Sequence, residues 1–187
     1  MIRSWFQTGR KSRACNTGAL VGSWPERLET AWSLFREVVP SDQPSWQVAD
    51  YGCGRQELRR LLPSGWSYAP YDWMSRSQDT VVCDFRHELP QSSHDVIFIL
   101  GVLEYLPKPA RLLRHALLQS RWVVFSCFHG WNPMRAWREG WKGRLTRSQV
   151  ESLLSENRIE IRNYRPWRQD GSLWVCENPS FKGGAKA

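Results

Sequence analysis

Asp50-Tyr51-Gly52-Cys53-Gly54 decides the reading of this chain. It follows the apolar residues Trp46, Val48 and Ala49 and precedes Gln56-Glu57-Leu58-Arg59-Arg60-Leu61-Leu62. The pattern predicts a strand, a glycine turn and a helix. Glycine carries no Cβ and tolerates positive φ, so such a turn lets the backbone approach a ligand closely. The N–H groups that open the helix would face that ligand. Asp50, at the strand's end, offers a carboxylate to a cationic group. The glycines do not complete the dinucleotide fingerprint G-x-G-x-x-G. Gly52 and Gly54 fit, but Glu57 fills the last position, where an acid sits poorly beside a pyrophosphate. A nicotinamide oxidoreductase is disfavoured on that ground.

Working outward, three successive strands end in acids. Trp66 to Tyr71 reads as a second strand with Asp72 at its end, and Thr80-Val81-Val82-Cys83 as a third with Asp84. A fourth, Asp95 to Leu100, runs into Gly101. An acid about 20 residues beyond the glycines suits a ribose diol, because a carboxylate accepts from both hydroxyls. In an open parallel sheet the carboxyl ends of the strands lie along one edge, where ligands bind. Each residue has a plainer use. The glycines can serve the turn alone, and Asp72 or Asp84 can cap a helix or a turn. In register together they point to a nucleoside cofactor.

Read as an ordered set, these motifs resemble the class I S-adenosylmethionine-dependent methyltransferases. Val48 to Gly54 is similar to that family's first motif, Tyr71-Asp72-Trp73 to its second and Cys83-Asp84-Phe85 to its adenine-edge motif. His94 to Leu106 is similar to its fourth-strand motif with the turn after it. The resemblance spans about Trp24 to Glu177 and implies S-adenosyl-L-methionine as cofactor. It implies that Asp50 faces the methionyl ammonium and that Gly52, Cys53 and Gly54 line the carboxypropyl tail. Asp72 would take the ribose hydroxyls, with Trp73 against the adenine. Asp84 would accept from the adenine amino group, and the Phe85 N–H would reach a ring nitrogen. Backbone near Leu100 and Gly101 would close over the methionyl end. Two departures stand out. Gln56 occupies the place of a third glycine, which predicts a wider turn. Tyr105 occupies the place of a common histidine, so no histidine base carries over there.

The rest of the chain fits one domain. The length of 187 residues suits a single core. Leu28, Ala31, Trp32 and Phe35 fall on one face of a helix predicted over Ser23 to Val39. Further helices are expected over Pro109 to Ser120 and over Leu145 to Asn157, the latter with Thr146 as N-cap. A fifth strand covers Trp122 to Ser126, and Ile159 to Ile161 with Leu173 to Cys176 forms an antiparallel edge pair. The expected architecture is α/β, a Rossmann-like three-layer α/β/α sandwich. Its seven-stranded sheet is mostly parallel, with an antiparallel C-terminal strand. Residues 1–22 read as a basic arm, 23–178 as the methyltransferase-like domain and 179–187 as a flexible tail.

The segment Phe128 to Arg144 follows the fifth strand on the side where the site should lie. Tyr105, His129, Trp131 and Trp137 are the candidates for acceptor contact. Trp137 and Trp141, four apart, would share a helical face. His129 and Tyr105 are the candidate proton acceptors, His129 because its ordinary pKa lies near neutrality.

Composition bounds partners more loosely. Lys plus Arg is 26 against 18 acids, a net charge of +8, which favours anionic partners. Twelve tryptophans interleaved with arginine can stack on bases, face sugars or fill a core. Nucleic acid is therefore admitted as a partner but not favoured. The acid-free stretch before Glu26 loosely fits a transit peptide but has no long apolar run. No stretch approaches the length of a transmembrane segment. Five cysteines without a C-x-x-C pair, and four scattered histidines, point away from a metal site and toward a reducing, cytoplasmic setting. The acceptor is read as a small molecule or a glycan- or lipid-linked intermediate. The alternatives are a non-catalytic binding module of this fold and an RNA methyltransferase.

Overall fold

The middles of the central strands are apolar in both phases because both faces of the sheet are covered. The computed structural model describes residues 24–39, 45–130, 132–168 and 170–182. Strand β4 (His94–Ile99) sends Ile97 and Ile99 to one face and Val96 and Phe98 to the other. Strand β5 (Ser120–Phe128) divides likewise, Val123 and Phe125 against Trp122 and Val124. Period-two alternation with apolar residues in both phases is what a doubly covered sheet requires.

Helix α1 (Trp24–Val38) covers one face through Ala31, Leu34 and Phe35. Phe35 sits at the centre of an aromatic cluster, with ring centroids 5.5 Å from Phe98 and 6.0 Å from both Trp46 and Trp122. Trp32 and Trp66 close it. Much of the tryptophan content is therefore core, and each such side chain contributes about 2–3 kcal/mol of burial. Helices α2 (Pro109–Gln119) and α4 (Arg147–Glu156) cover the other face through Leu112, Leu113, Ala116, Val150, Leu153 and Leu154. A short helix, α3 (Pro133–Glu139), lies between β5 and α4. Thr146 caps α4 in a capping box with Gln149, as its sequence suggests.

The remaining strands are β1 (Gln47–Tyr51), β2 (Ser67–Asp72), β3 (Val81–Val82), β6 (Glu160–Trp167) and β7 (Gly171–Glu177). The sheet order is β3-β2-β1-β4-β5-β7-β6. Only β7 runs against the others, pairing antiparallel with both β5 and β6. The expected three-layer α/β sandwich with an antiparallel C-terminal strand is the observed fold.

Several boundaries differ. β6 runs well past Ile161, through a register shift between Ile161 and Asn163 and on to Pro166. Proline is tolerated there because β6 is the sheet edge. β3 is only two residues long. The helix expected after the glycine turn is a five-residue 3₁₀ helix, Glu57–Leu61. Pro63 explains its shortness, since the residue before a proline is driven out of the helical region, and Leu62 is extended. The basic arm at 1–22 lies outside the described residues. Of the expected tail, Ser180 and Phe181 hydrogen bond back to Asn178.

Candidate functional site

β1, β2 and β4 are parallel and adjacent, so Asp50, Asp72 and Leu100 reach the same edge of the sheet. The glycine turn is fastened there to β2. Gly52 and Cys53 both donate to the Tyr71 carbonyl, at 2.8 and 3.0 Å. Gly54 N–H donates to Asp72 Oδ2 at 3.1 Å. Gly52 has φ +82°, and a Cβ there would lie 2.3 Å from Val102 Cγ2. That glycine is thus demanded by the approach of the chain after β4. Gly54 has φ +49°, and a Cβ added to it would meet only the Gly52 carbonyl, at 4.0 Å, leaving open space above the turn.

Two buried carboxylates stand beside the turn, Asp50 at the end of its own strand and Asp72 at the end of the neighbouring one. Asp72, 3 % exposed, also accepts from Met74 N–H at 3.3 Å and pairs with Arg76 Nε at 3.3 Å. Asp50, 8 % exposed, accepts from the Tyr68 hydroxyl at 2.7 Å. Burial pushes the Asp50 carboxyl up to about 7, partly offset by the Tyr68 hydrogen bond and reinforced by the charge of Asp72. Burial together with the two acids also pushes the Cys53 thiol up to about 12. Tyr68 was not anticipated. Its signal lies in the register: Asp50 pairs with Pro70, which puts Tyr68 on the same face as a diagonal neighbour within reach of a long side chain.

Gln56 corrects an expectation. The turn is not widened, because Gln56 N–H donates to the Cys53 carbonyl at 2.7 Å. Gln56 instead adopts the left-handed conformation, φ 60° and ψ 33°, that a glycine would take there without strain. Its side chain holds the loop between β2 and β3, donating to Ser77 Oγ at 2.5 Å and to Asp79 and Thr80 at 3.3 Å. Arg59 pairs with Asp79 on the same loop. The left-handed start and the short 3₁₀ helix also correct the expectation that a helix N-terminus faces the ligand.

Asp84 lies two residues beyond β3. Its carboxylate is clasped by Arg86, with Nε at 2.8 and 3.0 Å and the Arg86 N–H at 3.0 Å, and this holds it below the usual carboxylate range. Arg86 also lies over the Trp73 ring, 6.0 Å from its centroid. Trp73 is 39 % exposed, whereas Phe85 is buried against Tyr51. Leu100 is buried, and Gly101, at φ +70°, donates to Ser126 Oγ at 2.8 Å.

The residues expected on the acceptor side are spread over several elements. Tyr105 is half-buried on a 3₁₀ turn, Leu103–Tyr105, directly after β4. His129 is not placed as a base. Its Nδ1 lies 3.0 Å from the Leu145 carbonyl and must donate to it. Its Nε2 lies 2.6 Å from Ser172 Oγ. The lone pair a base needs is thereby committed, and His129 ties β5 to β7 and to the approach of α4. Trp131 lies outside the described residues. Trp137 is 80 % exposed on α3 and borders a depression on the surface. α3 ends at Glu139 with Gly140 in the left-handed conformation, so Trp141 leaves the helix and does not share a face with Trp137. Trp141 packs on Phe128 instead. Glu104, buried on the turn after β4, faces the buried Arg27 guanidinium of α1 at 4.0 Å, and burial raises its pKa. The apolar run around Glu104 gave no sign of that pairing.

The chain has the fold of the class I methyltransferases. It is similar to magnesium protoporphyrin IX methyltransferase (ChlM) from Synechocystis PCC 6803, solved with bound SAH. The TM-score is 0.62 at 14 % identity, over 82 % of this chain and 84 % of that one. It is similar to an S-adenosylmethionine-dependent methyltransferase from Mesorhizobium loti, with TM-score 0.60 at 18 % identity, over 81 % of this chain and 100 % of that one. The N-methyltransferase NodS from Bradyrhizobium japonicum WM9, in complex with S-adenosyl-L-homocysteine, matches with TM-score 0.57 at 15 % identity, over 83 % and 87 %. No family model and no curated protein matches the sequence. Among the described residues, no helix is long and apolar enough to cross a membrane.

Proposed function

We propose that the chain is an S-adenosylmethionine-dependent methyltransferase acting on a small molecule or a glycan- or lipid-linked intermediate. The observation that carries this is the pair of buried carboxylates, Asp50 and Asp72, at the carboxyl ends of two adjacent parallel strands beside the glycine turn. The residues fit the cofactor chemically. A buried carboxylate with its pKa raised to about 7 gains most from a cation, and the methionyl ammonium supplies one. A second carboxylate on the neighbouring strand suits a diol. Solved structures of the same fold hold SAH.

In this reading Asp50 orients the methionyl end, and the backbone of Gly52, Cys53 and Gly54 lines it, with Leu100 and Gly101 closing the far side. Asp72 takes the ribose, Trp73 lies against the adenine, and Asp84 and Phe85 meet its edge. The bound cofactor supplies an already activated sulfonium methyl for in-line transfer. The protein then contributes chiefly position and exclusion of water. We assign Tyr105 to the acceptor side, where its phenol can take part in proton removal from an oxygen nucleophile. Four buried free thiols, Cys53, Cys83, Cys127 and Cys176, suit a reducing compartment, and we place the reaction in the cytoplasm.

Calorimetric titration of wild type and Asp72→Ala with S-adenosylhomocysteine tests the assignment. Micromolar binding that is lost in the variant supports it. Equal affinity of the two proteins removes Asp72 from the site, and absence of binding by the wild type favours a non-catalytic module of this fold.

A further inference from the structure

Helix α3 is fixed to the domain by one side only. Ala136 is buried, and the Arg135 guanidinium lies 4.9 Å from the Trp141 ring centroid and 5.6 Å from that of Phe128. Arg135 also pairs with Asp170 at 3.5 Å. The other side is bare. Met134 is 76 % exposed and Trp137 80 %, more than any other large apolar side chain among the described residues. Their spacing of three sets them side by side on the helix. Arg138 stands next to Trp137, with Glu139 at 3.1 Å as its acid neighbour. The exposed Lys142 and Arg144 follow, and neither side chain pairs with an acid among the described residues. Asn132, Met134, Arg135, Trp137 and Arg138 border a surface depression of about 370 Å³.

We propose that this surface seats the protein on an anionic phospholipid bilayer. A tryptophan beside cationic side chains is suited to the headgroup level, where its ring is apolar and its N–H is wet. Methionine is a flexible apolar group that can enter the acyl boundary. The neighbouring guanidinium and ammonium groups meet lipid phosphates, and the long stems of Arg138 and Lys142 can lie along the apolar surface. The patch suits nucleic acid less well. The second apolar group is a thioether, which offers no hydrogen-bond donor to a base edge and no charge to a phosphate. Four of the tryptophans that suggested base stacking, Trp46, Trp122, Trp167 and Trp174, are buried inside the fold.

Position gives the surface its use. β5 ends at Phe128 on the edge of the sheet that carries the glycine turn, and α3 begins five residues later, at Pro133. Docking through α3 therefore turns that edge toward the headgroups, where a lipid-linked acceptor would be presented. The docking itself does not depend on the methyltransferase reading.

The test is co-sedimentation of the full chain with vesicles of phosphatidylcholine alone and of phosphatidylcholine with phosphatidylglycerol. Wild type should pellet with the anionic vesicles, and less so as salt is raised. Each cation near the surface is worth about fivefold in partitioning. Arg138→Glu with Lys142→Glu should therefore weaken binding by about 25-fold or more. Met134→Ala with Trp137→Ala should weaken it by about tenfold. Thermal midpoints equal to wild type, expected because these side chains are exposed, show that the variants are folded. The proposal is overturned if wild type stays in the supernatant with anionic vesicles, or if both double variants bind undiminished. It is also overturned if a single-stranded RNA oligomer binds as tightly with the same sensitivity to the variants, which would reassign the surface to nucleic acid. Calorimetry with S-adenosylhomocysteine reports the cofactor reading separately, so failure of either leaves the other standing.

Discussion

Replacing Asp50 by asparagine should stabilise the unliganded protein while weakening its hold on the cofactor. Burial raises the Asp50 pKa from its ordinary value of 3.8 to about 7. A carboxyl whose folded pKa lies above its unfolded value binds its proton more tightly in the fold. The native state therefore loses stability relative to the unfolded chain as pH rises from about 4 to about 7, and the full deficit is present above that window. The displacement corresponds to about 4 kcal/mol. Asparagine keeps an oxygen for the Tyr68 hydroxyl, now 2.7 Å from Asp50 Oδ2, but brings an amide N–H₂ whose poor satisfaction costs about 1–2 kcal/mol. The net gain expected near pH 8 is about 2 kcal/mol, or about 4–8 °C in melting midpoint for a chain of this size. Urea unfolding of both proteins, without ligand, across about pH 4 to 8 measures it directly. The difference in favour of the variant should be absent or reversed near pH 4 and should grow through pH 7. A difference that does not vary with pH would refute the reasoning, since it would mean that Asp50 is not held against its charge.

Gly52→Ala should cost more than about 2 kcal/mol, because the new methyl meets Val102 Cγ2 at 2.3 Å on a backbone at φ +82°. Adding Val102→Ala should recover part of that loss and leave the part due to φ, and a double-mutant cycle in urea separates the two. Gln56→Gly should be close to neutral, since relief of about 1 kcal/mol of left-handed strain offsets the lost side-chain bonds to Ser77, Asp79 and Thr80. Gln56→Ala keeps the strain without those bonds and should destabilise by about 1 kcal/mol, with faster hydrogen exchange over residues 74–80.

The fold was legible because its two periodicities do not compete. Ala31, Phe35 and the α2 leucines recur at helical spacing, while β4 and β5 carry apolar runs too short for helices. The grouping of Gly52, Gly54, Asp50 and Asp72 at one edge was legible because each lies at or just past the end of a strand and the first two strands pair in parallel. What failed to show depends on contacts across the fold. His129 reads as a base until the Leu145 carbonyl and Ser172 hydroxyl take both ring nitrogens. Trp137 and Trp141 read as one helical face until Gly140 ends the helix between them. The short 3₁₀ helix had a local cause in Pro63, so that error was avoidable, whereas the bond from Tyr68 to Asp50 needs the strand register first.

Gln56 and Asp50 share a physical logic that bears on function. Each is a local choice that costs stability: a side chain in a glycine conformation, and a carboxylate without a cation in a buried place. Both lie within seven residues on either side of one turn. Neither cost is needed to build the sheet, because β1 is already fixed by its pairing with β2 and β4. The Gln56 cost is returned within the unliganded protein, since the side chain restrains the loop beyond β2. The Asp50 cost is not returned there, as Tyr68 offsets only part of the burial. A cationic ligand group would return it, and affinity for such a ligand should weaken as pH falls below about 7, where Asp50 takes up a proton. Local conflicts of this kind gather at functional sites, and the unreturned one is the ground on which we propose that the positive end of the ligand lies at Asp50.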